Sequence, residues 1–233
     1  MNLVQSKELA YWVGVAQSDG YNKKKTYFGV SQSRKKYYNK IILKVGEKSK
    51  PMLLKFQKIS NQIFKRNAKC HKEKNQVFSF HIGIKSFIHE FSLLNISFKD
   101  PPEPPNWCLK NKKYLGAYLA GIIDGDGNIN ITRPKYPQCK IRISGGYPQI
   151  NLKETIIKKL NCHAWITKSN NIKSPNDYRL EFKFSPKNKE FILKNIIPWL
   201  QIPHKKTKLK KYSRLRKWSG KRESNSRLGI SAN

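Results

Sequence analysis

Apolar residues along this chain recur in two rhythms: three- and four-residue spacing, which predicts helices, and strict alternation, which predicts half-buried strands. A helix is predicted over about residues 6–17, then strands near 26–32 and 38–45. A second helix follows Pro51 (MLLKFQKISNQIF), then strands near 67–72 and 77–82, then a helix over IKSFIHEFSLLN. The segment Asp100 to Trp107, DPPEPPNW, interrupts the pattern, because its prolines forbid helix and interior strand alike. After it the series returns: a helix over about 112–123, strands near 128–132 and 139–144, and a helix after Pro148 (QINLKETIIKKL). Strands near 164–168 and 178–184 and a helix over NKEFILKNIIPWL complete it.

This order predicts an α+β protein of two pseudo-symmetric αββαββα halves, each an antiparallel sheet with helices on one face. The divisions are an N-terminal half at 1–99, a proline-rich linker at 100–107, a C-terminal half at 108–204 and a basic tail at 205–233. Phe28, Val30, Ile41, Leu43, Ile129, Ile131, Ile141 and Ile143 would face the helices. Tyr27, Ser31, Lys40, Lys44, Asn130, Thr132, Lys140 and Arg142 would face outward. Singly, such residues are the wet side of a sheet. As a set on a twisted ribbon, they suit the DNA major groove.

Charge narrows the class of partner. The 233 residues hold 48 Lys plus Arg against 14 Asp plus Glu, a formal charge of +34 spread along the whole sequence, which points to a polyanion. A hydrophobic fraction of 38% is enough for a real core. No apolar run approaches membrane-spanning length and no secretory layout opens the chain, so a soluble, intracellular protein is expected, with archaeal cytoplasm and organelle both open. Cys70, Cys108, Cys139 and Cys162 are scattered without a CxxC pair, and reduced thiols are expected. Cys70-His71 and Cys162-His163 would point to opposite faces of a strand, a poor start for a zinc site.

The candidate chemistry lies at the ends of two helices. Ala10, Gly14, Asp19 and Gly20 match Ala117, Gly121, Asp126 and Gly127 at a constant offset of 107 residues. Ala and Gly four apart bare one helix face, so two such helices can pack backbone to backbone with their ends level. Carboxylates at a helix C-terminus oppose the macrodipole, and a bound cation would remove the conflict. Mg²⁺ commonly takes one or two carboxylates, with water and phosphate oxygens completing its shell. The stretch Asp124-Gly-Asp126-Gly-Asn128 also imitates an EF-hand loop, but Ile129 stands where glycine is needed and Lys135 where the closing Glu belongs.

The run Leu119-Ala-Gly-Ile-Ile-Asp-Gly-Asp-Gly127 closely resembles the signature of the LAGLIDADG homing endonuclease family, monomeric two-motif type. Trp12-Val-Gly-Val-Ala-Gln-Ser-Asp-Gly20 looks like a degenerate second copy, with Gln17 where the second motif has Asp124. By element order the resemblance extends over about residues 6–217. It implies a monomer that cuts both strands of a long, non-palindromic duplex with 3′ overhangs. It also implies that Asp19 and Asp126 bind metal, with Mg²⁺ as the cofactor and Mn²⁺ or Ca²⁺ able to substitute for binding. The family places polar residues around its metals, often a Gln near the end of the second strand and a Lys after the third helix. That Gln is not recognisable here, whereas Lys99 and Lys205 or Lys206 occupy the post-helix positions.

Two rivals share these features. An intron RNA maturase of the same fold would take structured RNA in place of duplex DNA. A basic ribosomal or chromatin-type protein would account for the charge but not for the duplicated helix ends. Retention of both Asp19 and Asp126 favours cleavage, and phosphate contacts by so many cations predict binding that weakens steeply with salt.

Overall fold

A computed structural model of the chain describes residues 3–27, 36–98, 101–132, 138–168, 177–184 and 186–219. The first half runs α1 (Lys7–Ser18), β1 (Gly20–Tyr27), β2 (Lys36–Gly46), α2 (Lys50–Phe64), β3 (His71–Lys72), β4 (Val77–Gly83) and α3 (Ile88–Leu93). A short helix α4 (Asn106–Lys110) then leads into the second half. This half runs α5 (Lys112–Asp126), β5 (Gly127–Thr132), β6 (Gln138–Gly145), α6 (Ile150–Leu160), β7 (His163–Lys168) and β8 (Tyr178–Phe184). It continues through α7 (Lys189–Phe191), which opens into a π-helical stretch at Ile192–Ile196, and ends with α8 (Pro203–Ser219).

The two halves have the same topology. Each folds as a four-stranded antiparallel sheet, ordered β1-β2-β4-β3 in the first and β5-β6-β8-β7 in the second. The alternation along β2 and β6 is as predicted: Ile41, Leu43, Ile141 and Ile143 are fully buried against the helices. Lys40, Lys44 and Asn130 are exposed, and Thr132, Lys140 and Arg142 half-buried, on the other side. Ile129 is buried with the first set, Ile131 only partly.

Helices α1 and α5 differ in kind from the others. Every residue from Leu9 to Gln17 is buried, as is every residue from Leu115 to Asp124, because these helices are enclosed between the halves and have no wet face. Ser6 caps α1 by accepting from the Leu9 amide at 3.0 Å, and Asn111 caps α5 by accepting from the Lys113 amide at 2.9 Å. By contrast α2 and α6 each bury a single stripe, Met52, Leu53, Phe56, Ile59 and Phe64 in one and Leu152, Ile156 and Leu160 in the other. In the first half the core centres on Trp12, which stacks on Phe56 and Phe91 and donates from Nε1 to Ser60 Oγ at 2.7 Å.

Four expectations need revision. Strand β1 starts at Gly20 rather than near 26, because the chain turns straight from α1 into the sheet. The stretch read as linker ends in a helical turn that buries Trp107. The helices expected over IKSFIHEFSLLN and NKEFILKNIIPWL are shorter, with 3-10 turns at their starts and the π stretch in the second. Finally, no boundary falls at 204/205: α8 runs through it and buries Leu209 and Tyr212 against the second half. Phe28, Val30, Ser31, Lys99 and the last stretch, 220–233, lie outside the described residues.

Candidate active site

The site is built where α1 and α5 cross. A Cβ on Gly14 would lie 2.3 Å from the Tyr118 carbonyl oxygen, and one on Gly121 would lie 2.4 Å from that of Tyr11. No side chain fits there, so the two backbones touch; Ala10 and Ala117, one turn earlier, are fully buried. The glycines after the acids are constrained differently. A Cβ on Gly20 would meet the Ala16 carbonyl at 2.5 Å and one on Gly127 the Ile123 carbonyl at 2.5 Å. This is the spatial cost of leaving each helix directly into a strand.

The close crossing brings the two helix ends together. Gly125, the residue before Asp126, packs against Ser18 and Asp19, and a Cβ there would stand 3.4 Å from Asp19 Cβ. Asp19 and Asp126 are both half-buried. Burial pushes the Asp19 carboxyl above its ordinary value, and the Lys205 ammonium pulls it back in part. Lys205 itself is buried, 8% exposed, and burial lowers its pKa against the opposing fields of Asp124, Asp19 and Asp126. Its three N–H groups meet the carbonyls of Ile123 at 2.8 Å, Asp124 at 2.7 Å and Gly125 at 3.3 Å. A cation thus caps the negative end of α5 from α8, within the stretch expected to be a basic tail. Lys206, its neighbour, is half-buried.

The sixth motif position has a separate task in both halves. Asp124 is fully buried and accepts from Tyr11 Oη at 2.9 Å, the Gln201 amide at 2.8 Å and the Ile202 amide at 3.2 Å. Burial raises this carboxyl too, with those hydrogen bonds and Lys205 opposing. In the first half Gln17 accepts from Tyr118 Oη at 2.7 Å and donates from Nε2 to the carbonyls of Ser97 at 2.6 Å and Glu103 at 3.1 Å. The residue type follows the backbone group it meets: amides face Asp124, carbonyls face Gln17. Tyr11 and Tyr118 were missed in the sequence, although they carry the same 107-residue offset as the aspartates.

Two adjacent carboxylates at negative helix ends fit a hard divalent cation that draws its other ligands from water and phosphate. Among the described residues no group of three or more His, Cys, Asp or Glu side chains converges. None of the four cysteines is joined in a disulfide. Of the outward residues, Lys40, Lys44, Asn130, Lys140 and Arg142 line the faces of the two sheets, with Thr132 ending β5 and Tyr27 ending β1.

A mixed helix and antiparallel-sheet chain, duplicated and joined through glycine-bared helices that end in acid, defines the LAGLIDADG endonuclease fold. Solved structures with this architecture include I-DmoI in complex with DNA and Ca, at 14% identity and TM-score 0.57, covering 88% of this chain and 97% of that one. I-DmoI in complex with DNA and Mn matches at 14% identity and TM-score 0.54, covering 82% and 96%. The meganuclease I-SmaMI bound to uncleavable DNA matches at 14% and 0.54, covering 93% and 89%. At these identities the likeness is one of fold. No family model matches the sequence, and no curated protein does. Among the described residues no helix is long and apolar enough to cross a membrane.

Proposed function

We propose that the chain is a site-specific homing endonuclease, acting as a monomer, that makes a double-strand break in a long non-palindromic DNA duplex by Mg²⁺-dependent phosphodiester hydrolysis. The observation that carries this reading is the Gly14–Gly121 crossing, which sets Asp19 against Gly125, beside Asp126, with one ammonium near both carboxylates. Solved neighbours with this fold hold DNA together with Ca or Mn, which supports both partner and cofactor class.

In this mechanism Asp19 and Asp126 would hold the divalent metal, one aspartate serving each strand's scissile phosphate. The bound ion would activate water and stabilise the leaving oxygen. Lys205 keeps the last turn of α5 in place and sets a positive charge beside the carboxylates, while Lys99 and Lys206 are candidates for contacts to the scissile phosphates. Tyr27, Ser31, Lys40 and Lys44 read one half-site, and Asn130, Thr132, Lys140 and Arg142 read the other. Because these two sets differ, the half-sites differ.

The test is Asp126→Asn with Asp19→Asn beside it, each assayed on a duplex selected by the wild-type protein. Metal-dependent cleavage should be abolished while duplex binding persists. Cutting at the wild-type rate by either variant would end the assignment.

A further inference from the structure

One carboxylate stands in the middle of the basic sheet face. Glu181 on β8 is only 5% exposed, and its two oxygens take one cation each: Lys140 Nζ at 2.8 Å and Arg142 Nε at 2.6 Å. An acid on a surface meant for DNA repels phosphate, so its placement needs a reason. Burial alone would raise this carboxyl, and the bonds from Lys140 and Arg142 hold it below its ordinary value. It is therefore an ionised anchor. Lys140 balances its charge, and the triad keeps one net positive charge, on Arg142.

What the anchor fixes is the Arg142 guanidinium. Glu181 engages it only through Nε, and among the described residues neither terminal nitrogen has a partner; the side chain is 38% exposed. A guanidinium held at Nε presents its two terminal nitrogens as a fork, the shape that meets O6 and N7 of guanine in the major groove. The position favours a base over a phosphate. Strand β6 is an inner strand, and Arg142 lies in a row across the sheet with Asn128, Glu181 and Trp165. A duplex laid on the sheet offers its groove edges to inner strands and its phosphates to the rims. Asn128 is two residues past Asp126, which, on the proposed reading of Asp126, puts the row at the inner end of its half-site.

Among the described residues the first half has no such fork at the matching register. Gly20 pairs with Leu43 as Gly127 pairs with Ile143, which makes Ile42 and His81 the counterparts of Arg142 and Glu181. Ile42 is buried. We infer that Arg142, oriented by Glu181, reads a guanine at the inner end of the half-site bound by the second half, with no matching requirement in the first. Glu181 is a positioning residue in this scheme and Arg142 the one that sets specificity.

This inference rests on the DNA-binding reading above, and a selection by binding rather than cleavage separates the two. The full chain and its Arg142→Ala and Glu181→Gln variants are each used to enrich a randomised duplex library in Ca²⁺, with thermal melting to confirm that both variants fold. Wild type should enrich one motif with a fixed inner guanine. Arg142→Ala should lose that preference by roughly tenfold or more at that position alone. Glu181→Gln, which leaves the arginine present but unanchored, should weaken preference at the same position. An enriched motif that neither variant changes overturns the inference, as does a uniform loss of affinity across all sequences, which marks Arg142 as a phosphate contact. Failure of wild type to enrich any motif overturns the DNA reading itself.

Discussion

The Tyr11 hydroxyl donates to Asp124 across the helix crossing at 2.9 Å, and 107 residues on, the Tyr118 hydroxyl donates to Gln17 at 2.7 Å. The pair is symmetric in place and unequal in acceptor: both Asp124 oxygens accept from N–H donors, the pattern of an ionised carboxylate, whereas Gln17 is a neutral amide. A hydrogen bond to an ionised, buried acceptor is worth more than one to a neutral amide. Tyr11→Phe should therefore cost about 2–3 kcal/mol and Tyr118→Phe about 1 kcal/mol. Chemical denaturation of the two variants checks the order; equal losses would show that Asp124 is protonated in the folded chain.

Gly14→Ala and Gly121→Ala test the crossing itself. The added methyl would press on backbone in each case, Tyr118 O at 2.3 Å and Tyr11 O at 2.4 Å, so relief requires the helices to part. Overpacking of this kind costs about 2 kcal/mol, which for a chain of this size is a fall in Tm of roughly 4–8 °C. Parting the helices also separates Asp19 from Asp126. Cleavage should drop more than binding, measured as turnover and as Kd on the same duplex. Full activity in either variant would mean that the helix contact is not what sets the carboxylates.

Much of this arrangement was legible in residue spacing. The alternation of Ile141 and Ile143 with Lys140 and Arg142 gave the sheet and its two faces, and the repeat of Gly14 and Gly121 gave the crossing. What could not be read depends on which backbone groups meet across the fold. In sequence Gln17 is only a departure from the second motif, whereas in the fold Ser97 and Glu103 offer it carbonyls where Gln201 and Ile202 offer Asp124 amides. Likewise α8 gives almost no periodic signal, since so many of its positions are Lys or Arg, yet Leu209 and Tyr212 anchor it and Lys205 reaches into the site.

Glu181 gives a pH signature. Its folded pKa lies below the ordinary value of 4.5, so the ion pairs with Lys140 and Arg142 contribute stability that is present above that value. The contribution is lost as pH falls from 4.5 through the depressed folded value. Glu181→Gln should melt below wild type at neutral pH, and the gap should close on acidification across that window. A gap that stays constant with pH would mean that the carboxylate charge contributes nothing to the fold.

Chain ends drawn on either side of α8 should behave in opposite ways. A protein ending at residue 204 loses Leu209 and Tyr212, both buried, at roughly 2–3 kcal/mol each. It also loses the Tyr212 Oη bond to the Phe184 carbonyl at 3.1 Å and that of Lys208 Nζ to the Ile129 carbonyl at 3.0 Å. Most damaging, the carbonyls of Ile123, Asp124 and Gly125 lose Lys205, leaving the end of α5 without its cation beside three acids. Together these losses approach the whole stability of an ordinary domain. The chain ending at 204 should show no cooperative thermal transition, while one ending at 219 keeps every contact named here and should melt with wild type. Cooperative melting of the shorter chain would show that α8 is an appendage and that the helix end at Asp126 holds itself.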